Sequence, residues 1–228
     1  MNRRNFILAG VAALSGCAGA YAPRDIGSRA GCCTLLSEAK YADYILGNLA
    51  VVEITEATPT FSFPTGKSHF YGIRIPGRLP DNAVLETVCD YEGFWLPSAT
   101  LFVPQFAFLD KQFNILSTVE PDLYQVHGKL YKAGIVRRSF YGACLAPATS
   151  AYVVVYTDTS SLSSKRTQLL NPGGMGASNS LDRANQSYLQ IDKRDFALGR
   201  VEHLTPNSGF ATFDLPRIPI GEVRVKIS

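Results

Sequence analysis

Ala151-Tyr152-Val153-Val154-Val155-Tyr156-Thr157 is the stretch on which the fold turns. Three valines between two tyrosines make an uninterrupted β-branched and aromatic run. It lacks the in-out alternation of a half-exposed strand, so it predicts a central strand buried on both faces. Working outward, Tyr71, Ile73 and Ile75 alternate with Gly72 and Arg74 until Pro76-Gly77 breaks the run. Val84 to Cys89 predicts a further strand, and Leu101 to Leu109 another. Near the C-terminus, Val223, Val225 and Ile227 alternate with Glu222, Arg224 and Lys226 after Pro219-Ile220-Gly221. That is the pattern of a half-exposed strand. Short strands at turn-punctuated intervals predict a mainly β protein, an antiparallel β-sandwich of jelly-roll-like form, and not a parallel α/β sheet.

Around this core, residues 59–160 form the expected sandwich body. Residues 32–58 read as a short helical segment and linker, because Leu35, Ala39, Ala42 and Leu46 recur at helical spacing before a stop at Gly47-Asn48. Residues 161–228 read as an extended loop region whose last strand completes the sheet. Asn171-Pro172-Gly173-Gly174-Met175-Gly176 lies within it, with a loose helix expected near Leu181 to Tyr188.

The N-terminus has a different character. Asn2-Arg3-Arg4-Asn5 is a cationic start, and Phe6 to Leu14 is apolar. A helix needs roughly 20 apolar residues to span a bilayer, so this run has the length of a signal-peptide core. It ends in Leu14-Ser15-Gly16-Cys17, which resembles the bacterial lipobox. The expectation is a signal peptide at 1–16, cleavage before Cys17, and palmitate-type acyl chains on that cysteine. Residues 17–31 then form a tether. Each buried methylene contributes about 0.8 kcal/mol, and two or three acyl chains suffice for stable anchoring. Ala18 stands where an aspartate would favour the inner membrane, so the expected location is the periplasm, on the inner leaflet of the outer membrane.

Cleavage also changes the charge. The precursor carries 22 basic and 19 acidic residues; losing Arg3 and Arg4 leaves 20 against 19. A near-neutral chain with no basic cluster, the longest pair being Arg137-Arg138, has no phosphate-tracking surface and predicts no nucleic-acid partner. Beyond Cys17, four cysteines remain, Cys32, Cys33, Cys89 and Cys144, an even number that suits disulfides in an exported protein. Adjacent cysteines close a strained ring. The expectation is therefore a bridge from Cys32 or Cys33 to the body, or one between Cys89 and Cys144.

Catalytic chemistry is hard to place. His69, His127 and His203 belong to no nucleophile or zinc motif, and the glycines at 173, 174 and 176 lack the following Lys-Ser/Thr of a phosphate loop. No metal ligand spacing is present, and no cofactor or metal is expected. Cys144 precedes a Pro147 turn and not a helix N-terminus, which favours a packed or bridged sulfur over a nucleophile. Asp81, Glu86, Asp90 and Glu92 are close in sequence, yet a glycosidase needs two carboxylates facing across a cleft. The stretch with a binding flavour is Tyr91-Glu92-Gly93-Phe94-Trp95-Leu96. Tyr91, Phe94 and Trp95 could stack on sugar rings while the acids accept hydroxyl hydrogens; alternatively Trp95, the sole tryptophan, fills the core.

The central block has a wider likeness. Ser62-Phe63-Pro64-Thr65-Gly66-Lys67-Ser68 is followed by Phe102-Val103-Pro104-Gln105-Phe106-Ala107-Phe108-Leu109-Asp110-Lys111-Gln112-Phe113, then by the Tyr152–Asp158 strand. In order and spacing these resemble the maltose operon periplasmic protein family, as do Cys32-Cys33 and the terminal Gly221-Glu222-Val223-Arg224-Val225. The likeness covers 32–228 loosely and 60–170 best; Leu181 to Asp214 replaces the Pro-rich run of the family. It implies a periplasmic accessory protein linked to carbohydrate (maltose or maltodextrin) transport, one that binds and does not catalyse. It supplies no catalytic residues; Pro104 and Asp110 match its pattern as structural positions. The rival expectation is a structural outer-membrane lipoprotein that docks onto an envelope protein complex. The expected partners are thus the membrane, through the lipid, and an oligosaccharide or outer-membrane protein.

Overall fold

The structure is a computed structural model, and it describes residues 26–92, 100–132, 135–162, 165–170 and 211–228. The signal segment, Cys17, Phe94, Trp95, His203, the glycines at 173–176 and the helix expected at 181–188 lie outside these residues. Within them the protein is a β-sandwich. One sheet holds β1 (Tyr41–Asp43), β3 (Thr60–Phe63), β4 (Gly66–Arg74), β7 (Gln105–Leu109), β8 (Ile115–Val119) and β11 (Tyr152–Tyr156). Its order is β1-β4-β11-β7-β8, with β3 also on β4. The other holds β2 (Leu49–Ile54), β5 (Val84–Glu92), β6 (Thr100–Phe102), β9 (Tyr124–Lys132), β10 (Ile135–Leu145), β12 (Lys165–Leu170), β13 (Ala211–Ile218) and β14 (Gly221–Ile227). Pairing is antiparallel except for β1 with β4 and β13 with β6, so the sheets are mixed and not purely antiparallel.

The alternation of the strands explains the core. Val153, Val155, Phe106, Phe108 and Ile73 point from the first sheet toward Leu85, Cys89, Phe140, Val223, Val225, Ile227, Val52 and Ile54 of the second. The opposite face of the first sheet is also covered. Phe70, Ala107, Leu109, Val154 and Tyr156 pack beneath Leu36 and Phe63, with Cys33, Ala39, Tyr41, Phe61 and Phe113 partly buried around them. Phe63 stacks flat on Tyr156, ring centroids 3.9 Å apart. The β11 run is therefore apolar throughout because both of its faces are inside, as its composition predicts.

Two expectations need correction. The helix expected over 34–46 does not form. Leu36–Glu38 is a single 3₁₀ turn, and Tyr41–Asp43 is a strand. Leu35, Ala42 and Leu46, three of the four residues of the expected apolar stripe, are exposed, whereas Leu36 and Tyr44 are buried. The Glu38 carboxylate accepts from the Thr34 and Leu35 amides (2.9 and 3.3 Å) and closes the turn, and the Tyr41 hydroxyl donates to the Leu36 carbonyl. At Gly72 an added Cβ would sit 2.8 Å from the Lys40 carbonyl oxygen, so glycine is what lets β1 lie against β4. The segment 32–58 thus supplies β1 and β2, and 161–228 supplies β12 and β13 as well as the expected last strand.

The expected strand Leu101–Leu109 is two strands in different sheets, β6 and β7. Pro104 has no N–H to give a ladder, and the chain crosses between sheets at Val103-Pro104. At the far end of β7, the Asp110 carboxylate accepts from the Gln112 and Asn114 amides and from Asn114 Nδ2, at 2.8 to 2.9 Å. This holds Phe113 at φ 64° and lays its ring on Tyr152, centroids 4.4 Å apart. The Asn114 and Gln112 donors hold the Asp110 carboxyl below its usual 3.8. A depressed carboxylate stabilises the fold above its unfolded pKa and loses that contribution as pH falls through the folded one. Asp110→Asn is therefore expected to lower the thermal midpoint at neutral pH, with the gap to wild type closing as pH falls below the usual carboxylate range. A gap independent of pH, read by circular dichroism melts, would contradict this.

Candidate functional site

Among the sequence-proposed site residues, Tyr91 lies on β5, its backbone opposite Arg138 of β10 and Leu101 of β6. Phe94 and Trp95 fall outside the described residues. His127 lies on β9. His69 is buried on β4, where its Nδ1 donates to the Thr58 carbonyl at 2.7 Å, a structural task.

The cysteines also depart from expectation. Cys32 and Cys33 are joined to each other and not to the body. Cys89 and Cys144 are both buried thiols. Their strands pair, but Cys144 faces Leu85 while Cys89 faces Phe140. Four residues of strand separate the two by about 13 Å along the strand, far beyond the roughly 7 Å that a bridge allows. Burial pushes the Cys144 thiol up to about 12, so it is no thiolate nucleophile.

What the structure does assemble is an open groove of about 800 Å³ at the edge of β4, between its pairing with β3, which ends at His69, and with β1, which begins at Gly72. Phe70, Tyr71 and Gly72 form its floor. One wall is Glu38 to Ala42, the other is Thr55 to Pro59, and Cys32 closes one end. Both walls are pre-set. The Thr58 amide and hydroxyl donate to the Thr55 carbonyl (3.1 and 2.7 Å), the Ala57 amide donates to Thr55 Oγ1, and the Phe70 amide donates to the Pro59 carbonyl. The His69 contact to Thr58 pins the same wall from below. On the other side Tyr41 is wedged against Tyr152, centroids 4.7 Å apart. Burial, reinforced by the Tyr152 phenol, pushes the Tyr41 hydroxyl up to about 12. The Thr34 and Leu35 amides hold Glu38 below the usual carboxylate range, so it is an anion at the rim at neutral pH, with Lys40 on the same wall.

Before this wall the chain is tied down. Arg29 donates to the Glu56 carbonyl and carboxylate (2.6 and 3.3 Å), Lys67 Nζ donates to the Arg29 carbonyl, and the Cys32 amide donates to the Thr60 carbonyl. Part of the expected tether, from Ile26 on, thus belongs to the folded body. Sequence reading missed Tyr41, Tyr71 and the Thr55–Pro59 wall, because the groove joins segments that are adjacent only once β1 lies on β4. The Thr-rich stretch 55–60 is the one local signal of a fixed turn.

The groove is lined by the half-buried Tyr41 and Tyr71, by small residues between them, and by Glu38 and Lys40 of opposite sign on one wall. Among the described residues no three His, Cys, Asp or Glu side chains gather as metal ligands. The chain matches no protein-family model, no curated protein and no solved structure.

Proposed function

We propose that this protein is a lipid-anchored periplasmic accessory protein of carbohydrate transport, of the maltose and maltodextrin kind, acting by binding and not by catalysis. Cys17 carries the lipid, at the inner leaflet of the outer membrane. The observation that carries the binding half is the groove over Phe70-Tyr71-Gly72. Sugar rings present C–H faces that pack on aromatic rings, and their hydroxyls need donors and acceptors at the edge. Tyr41 and Tyr71 offer the first, and Glu38 and Lys40 the second. An open groove with fixed walls suits an elongated chain of sugars better than a single enclosed ring. The order of sequence blocks shared with the maltose operon periplasmic protein family points to the same substrate class.

Retention on amylose resin is the direct test. The mature protein is expected to bind the resin and elute with maltose or maltodextrin. Passage through the column unretarded, with the protein folded by circular dichroism, would refute the sugar role. The anchor is tested separately by mass spectrometry of the N-terminal peptide. An acylated Cys17 is expected, and a free thiol at an uncleaved position 17 would refute it.

A further inference from the structure

Seven large apolar side chains stand exposed among the described residues, and six of them gather at one end of the sandwich. Ile45 (69% exposed) and Leu46 lie on the turn between β1 and β2, and Leu49 and Val51 lie on the outer face of β2. Ile115 and Leu116 begin β8. The register places them at a common end. Asp43 pairs with Arg74, Arg74 with Tyr152, Tyr152 with Leu109, and Leu109 with Ile115, one row across the first sheet. Ile45 follows Asp43 by two residues.

The turn is built to hold its apolar groups outward. The Asn48 amide donates to the Ile45 carbonyl, and Gly47 sits at φ 80°, where a tight turn of this kind takes glycine. The Gly47 amide donates to the Ile227 carbonyl, and the buried Tyr44 hydroxyl bridges the Asn48 carbonyl and the Ile227 amide. Ile45 and Leu46 therefore cannot fold back without breaking this lattice.

Charge along the β2–β14 pair is graded. Leu49 faces Lys226 and Val51 faces Arg224, while Glu53 faces Glu222 at the far end. Within this pair the cations flank the exposed apolar residues and the acids lie farthest from the turn, while across the other edge of β14 Lys226 faces Glu86 of β5. At the same end, the Asp43 and Asp81 carboxylates are each held by an arginine, Arg74 at 3.4 Å and Arg78 at 3.1 Å.

We infer that this end, led by the Ile45–Asn48 turn and the outer face of β2, rests on a phospholipid bilayer. Ile45, Leu46, Leu49 and Val51 enter the interface, and Lys226 and Arg224 meet lipid phosphates. The inference rests on the lipid-anchor reading. Eight residues separate Cys17 from Ile26, nine steps of chain with a reach of at most about 30 Å, which holds the body against the membrane. The folded chain begins beside Glu56, past the far end of β2. A six-residue strand is about 20 Å long, so the tether spans the distance from there to the turn. A body held that closely turns its apolar end to the lipid, because apolar area leaving water is what stabilises contact.

The test places an environment-sensitive fluorophore on cysteine at Ile45→Cys, with Ser62→Cys on the β3–β4 hairpin at the opposite end as control. The full mature chain is bound to phosphatidylethanolamine–phosphatidylglycerol vesicles, either through its own lipid or through a hexahistidine tag at position 17 on nickel-chelating lipid. The tagged form reads orientation whether or not Cys17 is acylated, so failure of the anchor is distinguishable from failure of this proposal. The expected result is blue-shifted emission and several-fold slower dithionite bleaching at 45 than at 62. Equal bleaching at the two sites overturns the proposal, as does protection at 45 that appears only when outer-membrane proteins are added.

Discussion

Val154→Asp is expected to leave the chain unfolded, and Phe106→Ala to cost about 3–5 kcal/mol. Both sites are fully buried in the first sheet, on opposite faces. Phe106 fills the space between the two sheets; deleting its ring loses transfer free energy and leaves a cavity that the paired strands cannot collapse. Val154 faces the other way, beneath Leu36 and Phe63. An ionised carboxylate there has no partner, and the penalty of several kcal/mol is comparable with the whole stability of a typical domain, about 5–15 kcal/mol. In a two-layer sandwich with a solvated outer face, Val154→Asp would be mild. Urea unfolding of both variants decides the matter. A soluble Val154→Asp protein with near-native stability would show that the outer face of this sheet is open.

Glu120→Ala is the second large effect, about 2 kcal/mol, between the values for exposed and buried ion pairs. Arg217 donates through both terminal nitrogens to the Glu120 carboxylate, at 2.7 and 3.1 Å, and also to Ser161 Oγ. The pair is mostly shielded, with the arginine side chain 12% and the glutamate 24% exposed. It ties β13 to the end of β8 and to the Thr159–Ser161 turn, contacts of 97 and 56 residues in separation. Removing the carboxylate leaves the guanidinium shielded from water with Ser161 alone among these partners. Replacing both residues by leucine and methionine is expected to be less harmful than Glu120→Ala by itself, since no charge is then stranded. A chemical denaturation cycle over the single and double variants measures this, and strictly additive losses would refute a coupled pair.

The sequence announces the sandwich wherever apolar residues either alternate or run together. The Val153–Val155 run and the Val223–Ile227 alternation state both their strand character and their burial. Where the strand is short and lies at an edge, local pattern misleads. Leu35, Ala39, Ala42 and Leu46 match a helix by spacing, yet the chain there is drawn into β1 by the glycine at 72 and by Tyr41 packing on Tyr152. Those are long-range contacts, and no window of neighbouring residues contains them. Pro104 is legible as a disruption but not as a crossover between sheets, because the destination of the chain depends on β11. The groove was invisible for the same reason: its floor and two walls come from three separate stretches. An even count of cysteines allows a Cys89–Cys144 bridge as one alternative, and strand register keeps the two apart. The Tyr91–Leu96 segment reads as a binding stretch from its aromatic and acidic composition, and Phe94 and Trp95 lie outside the described residues.

The claim at the centre of this account is that the groove over Tyr71 holds an oligosaccharide. Calorimetric titration of the mature protein with maltodextrins, wild type beside Tyr71→Ala and Trp95→Phe, tests it most directly. The account predicts a saturable heat for wild type and Trp95→Phe, and its loss in a folded Tyr71→Ala protein whose melting curve remains cooperative. Binding that survives in Tyr71→Ala but disappears in Trp95→Phe, or no heat at all for wild type, would contradict it.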